Sequence, residues 1–376
     1  MKIIHLSDLH LGKRLNEFSL IEDQEYILNQ ILEAVEAEKP DAVVIAGDVY
    51  DKAIPSIEAV GLFDEFLVRL AGLHTHIFVI SGNHDSPERI AFGARLLDAS
   101  GIHLSPVYDG QVRPITLTDE LGPVNFYLLP FVKPIHVRRF FPDDPTDTYT
   151  QALATAVSHM GLDARQRNIL VTHQFVTGAA RSESEEISVG GADNVDSAVF
   201  QSFDYVALGH IHRPQHCGSE HIRYCGTPLK YSFSEAKDEK SIAVAELKEK
   251  GSLTLRKLPL KPLRELVELR GSFEELTRKE FYQGTSWDTD YTHLTLTDEN
   301  DIPDALGKLR LIYRNLMKLD YDNARTRAAG EITGERQRGK SPLELFADFY
   351  ELQNNQPMTA EQLVFLEELI AKAEEA

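Results

Sequence analysis

Five short blocks of metal-ligand residues recur along this chain, each at the end of an apolar run. They are Asp8-Leu9-His10, Gly47-Asp48-Val49-Tyr50-Asp51, Gly82-Asn83-His84-Asp85, a lone His173, and Gly209-His210-Ile211-His212. Together they supply Asp, Asn and His in the mixture that a pair of divalent cations needs. Two adjacent metals imply hydrolysis of a phosphate ester.

A two-metal site needs one ligand that bridges both ions. Asp48 is the candidate, because it ends the Val43-Val44-Ile45-Ala46 run and Gly47 permits a tight backbone turn. Asp8 and His10 are spaced i, i+2, so both side chains point the same way from an extended strand end. His210 and His212 share that spacing, and Asn83 and His173 complete the second ion. His84 is the candidate to position the phosphate or protonate the leaving oxygen. Asp85 is expected to orient His84 by a hydrogen bond. Mixed oxygen and nitrogen ligation without thiolates fits manganese, iron or zinc better than calcium, and the residues alone leave those three open. Each block alone also fits a polar loop, a turn or a satisfied core histidine. Their common placement after strands is what outweighs that reading.

Strand–helix alternation must position these blocks. Apolar runs at 2–7, 42–46, 76–80 and 168–172 read as strands. Between the first three, helix-like stretches run from about Asn16 to Glu38 and from about Ser56 to Leu73. Such alternation gives a mainly parallel sheet, with sites outside the carboxyl ends of its strands. Segments at 214–217, 221–225, 241–247 and 252–258 read as antiparallel strands, and Leu258-Pro259-Leu260-Lys261-Pro262-Leu263 as a boundary. A second αβ unit follows, with strands at Leu266–Leu269 and Tyr291–Leu296 and a helix near Pro303–Leu316. Residues 321–340 read as a charged linker. Ser341-Pro342-Leu343-Glu344 and Thr359-Ala360-Glu361-Gln362 are capping boxes opening two helices.

At 376 residues the chain calls for more than one domain. Two cysteines, Cys217 and Cys225, fit a reducing compartment, and no stretch has the length of a membrane span or of a signal peptide. The expectation is a cytoplasmic protein with no membrane partner. The net charge of −20 argues against coating nucleic acid nonspecifically, while leaving open a nucleic-acid substrate held through bound cations and local basic patches.

The pattern resembles the calcineurin-like metallophosphoesterase superfamily. Lys52-Ala53-Ile54-Pro55-Ser56 follows the Asp48 block where protein phosphatases show Asp-Arg-Gly, and Asp85 stands where they usually carry Glu. Nearly the whole chain is similar to the bacterial DNA-repair nucleases of that superfamily. Phe126–Pro130, the polar loop near Arg181–Gly191 and Tyr224-Cys225-Gly226-Thr227-Pro228 contribute to the likeness. The resemblance implies an α/β fold: a β-sandwich flanked by helices (1–263), a small αβ capping domain touching DNA (264–320), a linker (321–340) and a C-terminal helical pair (341–376). It implies two manganese ions, one on Asp8, His10, Asp48 and His212, the other on Asp48, Asn83, His173 and His210, with His84 catalytic. It further implies an SMC-type ATPase docked on the C-terminal helices, and a homodimer within a heterotetramer. Cys225 departs from the expected Ser, outside the ligand set.

Some signals mislead. Gly334–Ser341 fits the P-loop pattern, but no buried strand precedes it and Glu335, Arg336 and Arg338 stand where small residues should wrap phosphate. The chain therefore binds no nucleotide cofactor of its own, and ATP belongs to a partner. His216, Cys217, His221 and Cys225 match no common zinc spacing. Leu345, Phe346, Phe349 and Leu352, with Leu363, Leu366 and Ile370, form stripes suited to a partner. Lys13-Arg14, Arg138-Arg139, Lys308, Arg310, Arg314 and Lys318 are candidate phosphate contacts. The expected function is a manganese-dependent DNA nuclease, exonucleolytic from the 3′ side on double strands with the ATPase and endonucleolytic on single strands, in repair, recombination and replication. The alternatives are a small-molecule phosphodiesterase and a non-catalytic DNA-end-binding protein.

Overall fold

The structure, a computed structural model, describes residues 1–185, 193–324, 326–327, 341–354 and 357–374. Most of the 321–340 linker, most of the Gly334–Ser341 match, the 181–191 loop beyond residue 185 and the side chain of Leu352 lie outside what is described.

The first compact unit is Met1–Glu265. Its elements in order are β1 (Lys2–Leu6), the hairpin β2–β3 (Arg14–Leu15, Phe18–Ser19), α1 (Ile21–Glu38), β4 (Ala42–Ala46), α2 (Ile57–Gly72) and β5 (His76–Ile80). Then come the short α3 (Pro87–Ile90) and α4 (Ala94–Leu97), β6 (Ile102–Leu104), β7 (Ile115–Asp119), β8 (Gly122–Leu129), α5 (Pro134–Arg138) and α6 (Tyr149–Ser158). β9 (Arg167–His173), β10 (Tyr205–Gly209), β11 (Gln215–Cys217), β12 (Ser219–Tyr224), β13 (Ser241–Leu247) and β14 (Leu253–Pro259) complete it.

These strands form two six-stranded sheets, β14-β13-β1-β4-β5-β6 and β11-β12-β10-β9-β8-β7. The first is parallel from β1 to β6 and the second from β12 to β8, with antiparallel strands at the edges. The sheets face each other as a sandwich. Ile3, Val44, Ala46, Phe78 and Ile80 of one meet Phe126, Leu128, Ile169, Val171 and Ala207 of the other in a single apolar cluster. The outer face of the second sheet, with Leu129, Leu170 and Leu208, is covered by Ala152, Leu153 and Ala156 of α6. Both faces of the central strands are thus buried, which is why they read as continuous apolar runs.

The expected helix from Asn16 begins only at Ile21. Asn16 and Glu17 both have positive φ, 45° and 72°, the geometry of a two-residue hairpin turn, and Arg14–Leu15 pair with Phe18–Ser19 instead. The second helix matches its expectation closely: Ser56 caps α2 by accepting from the Ala59 amide.

The second compact unit, Leu266–Ala376, holds a three-stranded parallel sheet, β15 (Leu266–Gly271), β16 (Tyr291–Leu296) and β17 (Asn315–Tyr321). Short helices α7 (Phe273–Thr277), α8 (Lys279–Tyr282) and α9 (Ala305–Arg310) join the strands. The helix expected across Pro303–Leu316 is only α9; the chain then extends as β17, whose pairing satisfies the outer backbone groups of β16. Helices α10 (Pro342–Asn354) and α11 (Ala360–Glu374) follow, opened by the two capping boxes. Phe346, Phe349, Val364, Phe365 and Leu369 are exposed on them, whereas Leu366 is buried. Among the described residues, no helix is long and apolar enough to cross a membrane.

Candidate metal centre

The ligand blocks are the turns at the carboxyl ends of β1, β4, β5, β9 and β10. The first two run on beside each other beyond their strands. Asp8 N–H donates to Gly47 O at 3.0 Å, His10 N–H to Asp48 O at 3.0 Å and Leu11 N–H to Val49 O at 2.9 Å. Asp8, His10, Asp48 and His210 adopt positive φ, 54°, 44°, 48° and 101°. Such backbone costs about 1–3 kcal/mol per residue and persists only where the surroundings enforce it. Two glycines are required by close approach. A Cβ on Gly82 would lie 2.1 Å from Asp48 Oδ1, and one on Gly209 would lie 1.8 Å from Ala46 O.

Asp48 sits centrally. Its Oδ1 accepts the His84 amide at 2.9 Å, while Oδ2 lies 3.2 Å from His173 Nε2 and 3.7 Å from His10 Nε2. Asp8 accepts the His210 amide at 3.0 and 3.2 Å and the Ser7 hydroxyl. His10 Nε2 and His212 Nε2 face each other at 3.2 Å. Asn83 Oδ1 lies 3.0 Å from His173 Nε2 and 2.9 Å from His210 Nδ1. Ligand atoms of Asp8, His10 and His212, of Asp8, Asp48 and His173, and of His10, Asp48 and His84 each fall within 4.8 Å of one another. The structure therefore draws together all seven expected ligands, with Asp8, His10 and Asp48 each belonging to two of the groups.

The donor chemistry of these atoms fits cations. His173 Nδ1 is engaged by Ala46 O at 2.8 Å, which turns its Nε2 toward the oxygens of Asn83 and Asp48. His212 Nδ1 is engaged by Ser184 Oγ at 2.6 Å, which likewise turns Nε2 toward His10. Imidazole nitrogens and carboxylate and amide oxygens converge here with no thiolate among them, a donor set that would hold a pair of divalent cations. Burial holds His10 well below the usual imidazole range and His210 at about 3, so both are neutral and ready to ligate. Burial also opposes charge on His173, but the Asp48 carboxylate outweighs it and pushes His173 up to about 9. The same contact keeps Asp48 ionised, well below the ordinary carboxylate range despite its burial. No thiol joins the cluster: Cys217 and Cys225 are free and buried, and His216 pairs with Glu220 on the β11–β12 hairpin.

His84 lies at the edge of this group, half-buried, with its ring edge-on to His10 at 4.9 Å. The expectation that Asp85 orients it is corrected. Asp85 accepts the amides of Gly82 (2.9 Å), Val49 (3.1 Å) and Tyr50 (2.9 Å), so it clamps the β4 and β5 turns together. The Asp51 carbonyl, 3.1 Å from His84 Nδ1, orients the imidazole and leaves Nε2 free. Burial and the Asp48 charge raise Asp85 to about 6.

A supporting layer was invisible in the sequence. Ser184 links His212 to Glu235, and the Glu235 carboxylate pairs with the Lys240 ammonium, all but Ser184 being buried. Lys240 also donates to His212 O at 3.0 Å and Thr227 Oγ1 at 2.8 Å. Glu185 accepts the His212 amide at 2.6 Å. Gln24 Nε2 donates to His10 O at 2.7 Å, and the Tyr231 hydroxyl donates to Leu9 O. Only Gln24 carried a signal, as a polar residue on the apolar face that Ile27, Leu28 and Ile31 define on α1. Several suspected phosphate contacts are already occupied. Lys13 pairs with Asp51, Arg138 with Thr146 and Asp147, and Lys318 with Asp320, while Lys308 and Arg310 bond backbone carbonyls.

A two-sheet sandwich with Asp, Asn and His converging at its strand ends defines a phosphoesterase of the calcineurin-like class, and residues 1–214 match the family described as calcineurin-like phosphoesterase. Residues 262–354 match a second family, described as type 5 capsule protein repressor C-terminal domain. The SbcD component of nuclease SbcCD from Staphylococcus epidermidis is 38% identical over 323 residues, covering 85% of this chain and 85% of the relative. The same component from Staphylococcus saprophyticus is 36% identical over 323 residues, covering 85% and 84%. The chain belongs to this SbcD family of metallophosphoesterases. A dimetal phosphatase from Danio rerio, 12% identical with a TM-score of 0.43, aligns over 70% of this chain and 98% of its own length, a likeness too distant to bear on the chemistry.

Proposed function

We propose that this protein is a manganese-dependent DNA nuclease, the hydrolytic partner in a complex with an SbcC-like SMC-type ATPase. The observation that carries it is the Asp48 carboxylate, buried between His10 on one side and His173 on the other. One ion is assigned to Asp8, His10, Asp48 and His212, the other to Asp48, Asn83, His173 and His210. Two bound cations would polarise a phosphate oxygen and activate water at neutral pH. The protein's own part is to hold the phosphodiester and manage a proton. His84 Nε2, free because Nδ1 faces the Asp51 carbonyl, is placed to bond a phosphate oxygen or hand a proton to the leaving oxygen. Asp85 keeps the turn carrying Asn83 and His84 docked on the β4 turn.

The exposed apolar side chains on α10 and α11 support docking of the ATPase there. Exposed Ile54, Ile57, Val60, Phe92 and Leu96 support a homodimer, which would cover them. The proposed activities are 3′-to-5′ exonuclease on double strands with the ATPase and endonuclease on single strands, in repair, recombination and replication in the cytoplasm.

The test is hydrolysis by the purified chain with manganese, on single- and double-stranded DNA beside bis(p-nitrophenyl) phosphate. Metal-dependent DNA cleavage is expected. Cleavage of the small ester alone would replace the reading with a small-molecule phosphodiesterase. DNA binding without cleavage would leave a DNA-end-binding protein.

A further inference from the structure

A cleft of about 670 Å³ opens beside the metal centre, walled by Tyr108, Phe131, Ile135, Arg139 and Phe140 and bounded by Pro87. Two of its lining residues, Phe131 and Pro87, adjoin the centre. The Phe131 ring stands edge-on to His173 at 6.3 Å, and its amide donates to Ser81 O at 3.0 Å, just before Gly82-Asn83. Pro87 opens α3 directly after the His84-Asp85-Ser86 turn.

The walls are aromatic and unfilled. Phe140 and Ile135 remain 38% and 62% exposed although they line a concavity. Tyr108 packs edge-on against Phe140 at 5.9 Å, and its hydroxyl is buried without a hydrogen-bond partner. The Gly110 backbone presses beneath Phe140, where a Cβ would lie 2.9 Å from the ring, so the ring is held in place. The Arg139 guanidinium sits 5.7 Å over Phe140, and no carboxylate pairs with it among the described residues. Its neighbour Arg138 is bound to Thr146 and Asp147, and the Glu88 carboxylate at the rim is bonded to the Ser86 hydroxyl at 2.9 Å. In a chain of net charge −20, an uncommitted arginine on an aromatic platform is complementary to a phosphate that carries a base.

We infer that this cleft is a nucleobase subsite, which takes the unstacked base next to the phosphodiester held at the metal centre. Phe140, buttressed edge-on by Tyr108, supplies the stacking face, and Arg139 the contact to the flanking phosphate. The inference rests on the nuclease reading. Its volume lies within the range of small-ligand sites. A base inside a duplex shows only its edges and cannot enter, so the subsite favours single-stranded or frayed ends.

The test uses the full chain with manganese and two probes. One is a single-stranded oligonucleotide, intact or with an abasic residue beside the scissile bond. The other is bis(p-nitrophenyl) phosphate, which has no base and reports on the metal centre and on folding. For Phe140→Ala, the ratio of oligonucleotide to ester kcat/KM should fall by about tenfold, through KM, as expected for loss of one stacked base. Arg139→Gln, which spares the fold, should raise oligonucleotide KM. The abasic probe should cost the wild type a similar factor and remove the difference between wild type and Phe140→Ala. An unchanged ratio for both variants, or a Phe140→Ala deficit that persists on the abasic probe, would overturn the subsite. Ester hydrolysis without any DNA cleavage by the wild type would instead overturn the nuclease reading and leave the cleft without its occupant.

Discussion

The two ends of the sandwich spend their buried polar groups in opposite ways. At the amino ends of the strands the charges of Arg167, Asp119 and Asp204 are paired. The Arg167 guanidinium binds Asp119 through both carboxylate oxygens, the carbonyl of Lys248 at 2.9 Å and that of Gly122 at 2.6 Å, and the Met1 amine joins Asp119 at 2.7 Å. Asp204 accepts the amides of Asn168 (2.7 Å) and Gly251 (2.9 Å) and the Lys250 ammonium (2.7 Å). At the carboxyl ends imidazoles face imidazoles, His10 Nδ1 has no hydrogen-bond partner, and Asp8, His10, Asp48 and His210 hold positive φ. One end is arranged for stability. The other carries backbone strain and a convergence of metal-ligand side chains, as functional sites commonly do.

Substitutions at the two ends should therefore separate activity from stability. The largest effect is expected for Asp48→Asn: hydrolysis of bis(p-nitrophenyl) phosphate falls to background even at saturating manganese, with circular dichroism showing the fold retained. Residual manganese-dependent activity would remove Asp48 from the centre. His84→Gln should lower kcat by about 100- to 10,000-fold with metal affinity retained; full activity would remove His84 from the chemistry. Arg167→Met should do the reverse of Asp48→Asn, costing about 1–3 kcal/mol in chemical denaturation because Asp119 keeps only the Met1 amine and the Lys248 and Gly122 carbonyls lose their donor, with kcat per folded molecule kept. Lys240→Met lies between the ends in character. Loosening Glu235 and His212 should weaken manganese binding by about 10- to 100-fold in calorimetry.

The smallest effect is on pH dependence. Burial disfavours the Glu235 carboxylate, but the bonds from His212 and Lys240 prevail and bring it from 4.5 to about 2. Because the folded value lies below the unfolded one, the stabilisation is complete above pH 4.5 and fades as pH falls toward 2, an amount of about 3 kcal/mol at most. Arg167 depresses Asp119 in the same direction. Acid denaturation of the metal-free protein should show this loss below pH 4.5, and Glu235→Gln should reduce it; a flat profile there would contradict the assignment.

The central strands were legible because burial on both faces writes them as unbroken apolar runs, and the blocks after them were legible because ligand residues are rare in such company. The hairpin at Arg14–Ser19 was not, since its turn depends on positive φ at Asn16 and Glu17, residues that equally suit a helix start. β17 was missed because Leu309, Tyr313 and Leu316 keep a helical spacing into the strand, and only the open edge of β16 decides the outcome. Asp85 followed a histidine and was assigned to it, but its carboxylate reaches backbone amides on another loop. Glu235 and Lys240 lie in a polar stretch that reads as surface. Their burial exists only once the β10 turn packs over them.

The most direct test of the account is metal stoichiometry. Manganese titrated into the stripped full-length protein, followed by calorimetry and native mass spectrometry, should show two ions per chain in the wild type. Asp48→Asn should lose the pair rather than a single ion, because that carboxylate is shared. One ion or none in the wild type, or two retained without Asp48, would contradict it.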